Sequence, residues 1–271
     1  MNNLILPNGE SLYYIDKLTA LYVYNEIYVE KQYLQHEISI SDGDIIFDVG
    51  GNIGLFSRFV QNCAKNLDIY IFEPVPVIFK VLSANITSDS NFTHLFNVGL
   101  SNEEKDIEFY YFPKVCADST AHPVDWDFKL KKYLENYNDV VVKTNPLARI
   151  VPKFLRKWVV NRSLKKLYQS EKIRCHVRTL SSFIEEHDIK RIDLLKIDAE
   201  NAEREVIAGI QEDHWPLIRQ ISMEVHTHIV GCKNLHHEMQ SFLTSKGFSV
   251  YLVEDDLGSR MGVYMLYAKR I

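Results

Sequence analysis

Residues 45–54, IIFDVGGNIG, set the tightest limit on the fold: an apolar run that reads as a buried strand, then an acid, then a turn with three glycines. The next ten residues, LFSRFVQNCA, place Leu55, Phe56, Phe59, Val60, Cys63 and Ala64 on one face of a helix. DIYIFEP is a second strand stopped by Pro74, and Pro76 starts a helix that turns Ile78, Val81, Leu82 and Asn85 to one side. HLFNVGLS, IRCHVRTL, RIDLLKIDAE and IRQISMEVHTH read as further strands, and SSFIEEH, NAEREVIAGI and LHHEMQSFLTSKG as helices. The chain closes on FSVYLVED and GVYMLYAKRI, whose connection is too short for a crossover, so they pair antiparallel. Strands alternating with helices predict an α/β fold, a doubly wound Rossmann-like sheet that is mostly parallel and ends in an antiparallel hairpin. The chain is expected to form a single domain over 1–271. Residues 1–40 would be an N-terminal cap, and 113–171, where the alternation breaks, a helical lid.

In such a sheet the ligand sits at the carboxyl ends of the strands, where the glycine turn lies. The dinucleotide fingerprint G-x-G-x-x-G fails, because Asn52 and Leu55 stand where its second and third glycines belong. The Gly-Lys-Ser/Thr of a phosphate loop is missing too. Asp48 would bring negative charge toward a pyrophosphate, so the turn suits a cationic ligand. S-adenosylmethionine has no phosphate and carries a sulfonium and an ammonium. Gly50, Asn52 and Gly54 would let the backbone approach it while Asp48 balances its charge. Glu73 ends the second strand and is placed to accept hydrogen bonds from both ribose hydroxyls.

These segments, IFDVGGNIGLFSRFV, IYIFEPVPVIFKVLSANI, NVGLS, IDLLKIDAENAEREVIAGI and IRQISMEVHTH, together resemble the FkbM-type S-adenosylmethionine-dependent methyltransferases. The likeness is greatest to those associated with polyketide and peptide assembly lines. It runs from about residue 40 to the C-terminus and is weakest across 113–171. The family usually has Ala at the position of Gly51, an exchange that looks harmless, and often Gly at that of Asn201. The resemblance implies methyl transfer from S-adenosylmethionine, most often to a hydroxyl oxygen.

Methyl transfer is an in-line displacement, helped by alignment and by a base for the hydroxyl proton. Asp198 ends LLKID, and Glu224, His226 and His228 alternate along MEVHTH, sharing one side of an extended strand. His226 is the first candidate for the base because imidazole titrates near neutrality. Asp198 would orient base or acceptor, or pair with Lys196. Glu200 and Glu203 fall in the first turn of the next helix, where the dipole favours acids in any case. Asp198 and Glu224 with His226 also make a candidate Mg2+ site. His236 and His237 are expected to face solvent, and the tyrosines at 22, 24, 28 and 33 to line the cleft or fill the core.

The net charge of −5 hides an asymmetry: residues 141–170 hold eight Lys/Arg and no acid, leaving 23 basic against 36 acidic residues elsewhere. Apart from a solvated lid, three partners fit this segment. One is an acidic acyl or peptidyl carrier protein, which agrees with the family likeness; another is an anionic membrane surface. Nucleic acid fits the local charge only and is not expected. Cys63, Cys116, Cys175 and Cys232 are more than fifty residues apart from one to the next, with no metal clip, which suits reduced thiols in a cytoplasm. Neither a secretory signal nor a transmembrane run is seen. The reading is therefore a cytoplasmic O-methyltransferase acting on a hydroxylated polyketide, peptide or sugar. A nicotinamide oxidoreductase and a non-catalytic cofactor-binding module are the alternatives.

Overall fold

The computed structural model describes residues 1–86, 92–227 and 232–271. Seven strands make the central sheet: β1 (Ile45–Val49), β2 (Asp68–Phe72), β3 (Phe92–Phe96), β4 (Leu194–Ile197), β5 (Gln220–His226), β6 (Phe248–Leu252) and β7 (Val263–Arg270). Their order is β6-β7-β5-β4-β1-β2-β3. The pairs from β5 through β3 are parallel, and β7 runs antiparallel between β5 and β6. This is the strand order of a Rossmann-like class I methyltransferase. The order reverses between β1 and β4, which opens a crevice at their carboxyl ends.

Successive residues of β1 enter opposite layers, which is why the run is apolar throughout. Ile46 joins Leu55, Phe56, Ile71 and Leu194 on one side, while Phe47 and Val49 join Phe72, Ile197 and Val225 on the other. Lys196 and Asp48 break this pattern, and they are direct cross-strand partners between β4 and β1.

The helix Leu55–Cys63 buries Leu55, Phe56, Ser57 and Val60; Cys63, expected on the same face, is its last residue and is exposed. The helix Pro76–Asn85 buries the four residues expected of it, Ile78, Val81, Leu82 and Asn85. Asn85 in an apolar stripe is explained by its bonds. Its Nδ2 donates to Tyr13 O at 2.9 Å and Ile53 O at 2.8 Å, and its Oδ1 accepts from Tyr13 N at 2.8 Å. That one side chain ties the N-terminal hairpin (Asn2–Ile5 with Ser11–Tyr14) to the sheet layer.

A second sheet holds Gly99–Leu100, Glu171–Arg178 and Lys105–Tyr111, in that order. The last two are antiparallel, with Tyr111 opposite Glu171 and Lys105 opposite Val177. Residues 112–170 extend from this hairpin as the basic segment's scaffold, built around the helices Trp126–Glu135 and Lys153–Leu167. They have a core of their own, in which Phe112, Leu130, Tyr137, Val160, Leu164 and Tyr168 meet. His236 is buried and stacked on Tyr264 rather than facing solvent, since β7 lies against the start of its helix; His237 is exposed on its outer side. His228 lies outside the described residues. Among those described, no helix is long and apolar enough to cross a membrane.

Candidate active site

Gly50 leaves β1 at φ +74°, and its amide donates to Phe72 O at 3.0 Å. A Cβ on it would stand 1.8 Å from the carbonyl oxygen of Asp198, so only glycine fits between the ends of β1 and β4. Asn52 (φ +48°) and Gly54 (φ +88°) complete the turn into the helix. The cavity above it is lined by Gly50, Asn52, Glu73, Leu100, Asp198 and Glu200, and is roofed from the second sheet by Phe109 and Val177. Gly54 stands back from it, against Ile86 and Leu82, and its part is the left-handed entry to the helix.

Glu73 is buried at the end of β2. Its carboxylate accepts from Asn52 N at 3.0 Å and Val75 N at 2.9 Å, so it pins the glycine turn while facing the cavity. Each oxygen keeps a second lone pair for a ligand hydroxyl. Burial pushes this carboxyl up to about 7, against the pull of the two amides.

Asp48 is fully buried beneath the turn and outside the cavity wall. One oxygen accepts from Ser57 Oγ at 2.6 Å and the other is 3.2 Å from Lys196 Nζ. Lys196 Nζ also donates to Gly50 O at 2.8 Å and lies 3.7 Å from Asp198. Burial opposes its charge, but Asp48 and Asp198 raise its proton affinity above the ordinary value. The charge that Asp48 balances directly is thus the protein's own lysine, while Asp198, with Glu73 and Glu200, lines the cavity. Asp198 and Lys196 do pair, as the sequence suggested, with Asp48 as the nearer partner.

The expected catalytic residues come together: one ligand atom each of Asp198, Glu224 and His226 lie within 4.8 Å of one another. His226 Nδ1 is 2.9 Å from Glu203 Oε1, and both side chains are buried. Its Nε2 is 3.3 Å from Glu224 and 3.4 Å from Glu200. Burial would lower the proton affinity of His226, yet Glu200 and Glu203 raise it well above the usual imidazole range. Burial, reinforced by Glu224, raises Asp198, and burial raises Glu200 strongly despite His226.

This donor set does not fit Mg2+. Both imidazole nitrogens are engaged by carboxylates, Nδ1 by Glu203 and Nε2 by Glu200 and Glu224, an arrangement that favours a proton on each nitrogen over a metal ion. Lys196 already meets part of the charge of Asp198, and the ion prefers an octahedron of oxygens.

The N-terminal cap contributes one residue flagged in the sequence, Tyr33, and two that were not, Gln32 and Glu26. Tyr33, one of the flagged tyrosines, donates its hydroxyl to Asp198 Oδ2 at 2.9 Å and Glu224 Oε2 at 3.2 Å. Gln32 Nε2 donates to Glu224 Oε2 at 3.1 Å, and its carbonyl accepts from Tyr267. Glu26 is close enough to feel both acids: burial and Glu224 push it up to about 9, so it keeps its proton at neutral pH. From the segment 112–170, Thr120 Oγ1 donates to Glu200 O at 2.5 Å, and Asp118 holds Lys129 and Tyr168. The only sequence signal for the cap residues is their chemical type.

Comparison with known proteins places these features. Residues 48–250 match the model of the methyltransferase FkbM domain. The chain is 30% identical over 270 residues to the 31-O-demethyl-FK506 methyltransferase FkbM of Streptomyces tacrolimicus, covering 100% of this chain and 97% of that one. It is also 30% identical over 270 residues to part of the AMB antimetabolite synthetase AmbE of Pseudomonas aeruginosa, taking 98% of this chain and 12% of that much longer protein. Among solved structures, Aeropyrum pernix fibrillarin with natively bound S-adenosyl-L-methionine aligns over 98% of this chain and 92% of its own, at TM-score 0.44 and 12% identity. The strand order described above stands independently of that last likeness.

Proposed function

The chain belongs to the FkbM methyltransferase family, and from that premise we propose an O-methyltransferase that moves the methyl group of S-adenosylmethionine to a hydroxyl of a polyketide, peptide or sugar acceptor. The observation that carries the reading is the continuity of one crevice, from Glu73 and the glycine turn to Asp198. Glu73 would take the ribose hydroxyls, Gly50 and Asn52 would line the cofactor's path, and Asp198 would face its positive end. Asp48 acts through the turn, by holding Lys196 against Gly50 O. S-adenosylmethionine supplies an electrophilic methyl group on a positive sulfur.

The acceptor oxygen would then stand on the cap side, beside Asp198, Glu224 and His226. As it bonds to the methyl carbon, the carbon–sulfur pair goes to sulfur and the hydroxyl proton goes to the protein. His226 Nε2 and Glu224 stand 3.3 Å apart, so the pair rather than the imidazole alone would take that proton. Glu203 holds Nδ1 and so fixes the ring, with Nε2 turned to Glu224 and Glu200. Asp198, held by Tyr33, orients the acceptor. The four free cysteines accord with a cytoplasmic enzyme, and the AmbE match supports an assembly-line acceptor.

Calorimetry with S-adenosylmethionine is the first test. Wild type should bind and Glu73→Ala should bind about tenfold or more weakly; no binding by wild type would sink the proposal. A mass-spectrometric screen of hydroxylated acceptors, free and carrier-bound, then looks for a gain of one methyl on oxygen. His226→Ala should keep cofactor affinity and lose turnover by about a hundredfold or more. Methyl gain on nitrogen or carbon alone would overturn the assignment to oxygen.

A further inference from the structure

The lid helix Lys153–Leu167 is apolar on two sides. Val160 and Leu164 are buried in the lid core, whereas Phe154 is 82% exposed and Trp158, one turn on, 62%. The preceding turn, Pro146–Ile150, adds Leu147 at 74% and Ile150 at 80%. A helix with apolar residues on both sides is normally covered on both. Large apolar side chains exposed this far and this close together mark a surface that meets something.

Charge says what kind of surface. No acidic residue lies between 140 and 170, and none of the eight cations there pairs with a carboxylate among the described residues. Most of the described cations elsewhere do pair with carboxylates: Arg58 holds Glu10, Lys172 holds Glu108, Arg174 holds Asp106 and Lys246 holds Glu212. Within the segment, Arg162 lies over the ring of Trp158 and Arg156 over that of Tyr137, which leaves their charge unanswered. The cations are interleaved with the exposed apolar residues along the segment. Unpaired cations interleaved with exposed aromatic and aliphatic side chains suit a fluid surface with anionic headgroups outside and hydrocarbon just beneath.

We propose that this part of the lid docks on an anionic lipid surface, with Phe154 and Trp158 entering the headgroup boundary and Lys153 and Lys157 meeting lipid charges. The protein outside 141–170, with 23 basic and 36 acidic residues, is repelled by the same surface, which orients the molecule lid-first.

The test is sedimentation of the full chain with vesicles of phosphatidylcholine alone or mixed equally with phosphatidylglycerol, with tryptophan emission read in parallel. Trp158 is the most exposed of the three tryptophans, and Trp158→Phe shows how much of any emission shift is its own. Wild type should sediment with the anionic vesicles only, shift its emission to the blue, and come off at high salt. Lys153→Glu with Lys157→Glu, and separately Phe154→Ala with Trp158→Ala, should each weaken binding by about tenfold or more. Unchanged thermal melting and cofactor affinity would show that these surface variants are folded. Wild type left in the supernatant, or bound equally to both vesicles, overturns the proposal. So does loss of self-association, or of binding to an acidic carrier protein, in both variants without any vesicle binding by wild type.

Discussion

Glu200 at φ +45° and Asn201 at φ +76° turn the chain through the left-handed region directly after β4. Asparagine tolerates that region and β-branched residues do not. The residue that departs from the family's frequent glycine therefore keeps the same backbone. Asn201→Gly should leave stability within a few tenths of a kcal/mol, and Asn201→Val should cost about 1–2 kcal/mol in urea melts. Glu73 supports a pH prediction. Its folded value near 7 means that it becomes a full hydrogen-bond acceptor only as pH rises through 7. Ribose hydroxyls donate to the ionised form, so cofactor affinity should rise between pH 6 and 8 with release of a proton, measured by calorimetry in two buffers of different ionisation enthalpy. Glu73→Gln should flatten the profile. The residue types at strand ends were legible because strand-end acids beside a glycine turn have few alternatives. Which lysine Asp48 would face was not, since that depends on the register between β1 and β4, set by chain more than a hundred residues away.

At the scale of elements, the turn between β1 and its helix is fixed by what surrounds it. A Cβ on Gly51 would meet Ile71 Cγ2 at 2.3 Å and Leu82 Cδ1 at 3.0 Å. The exchange with alanine that looks harmless in sequence is thus a tight fit here. Gly51→Ala should cost about 1–3 kcal/mol, and Ile71→Ala in the same chain should remove part of that cost, so that the double variant loses less than the sum. Gly50→Ala meets a backbone oxygen instead and has no such relief. The strands and the helix Pro76–Asn85 were readable because burial imposes periods of 2 and 3.6 on local sequence. The cap's entry into the site was not. Tyr33 and Asp198 are 165 positions apart, and no local period reports such a meeting.

Over the whole molecule, the crowding of acids around His226 and Lys196 sets how stability depends on pH. Glu26 moves from 4.5 to about 9 on folding, and Asp198, Glu200 and Glu73 move the same way. The native state then holds protons that the unfolded chain has released, so stability is highest near pH 4.5 and falls as pH rises toward 9 on account of these groups. His226, also raised, adds to the fall above its unfolded value. Differential scanning calorimetry of the cofactor-free protein should show Tm falling from pH 6 to 9, and Glu26→Gln should reduce the slope. A flat or rising Tm would contradict the placement of these carboxyls. The lid, finally, leaves and returns at one cross-strand pair, Tyr111 opposite Glu171. Closing so short a span costs nearly the same for a long insertion as for a short one, because the entropy grows only with the logarithm of loop length. A segment joined to the fold at one such pair can change in length or charge at little entropic cost to the sheet that carries the candidate site.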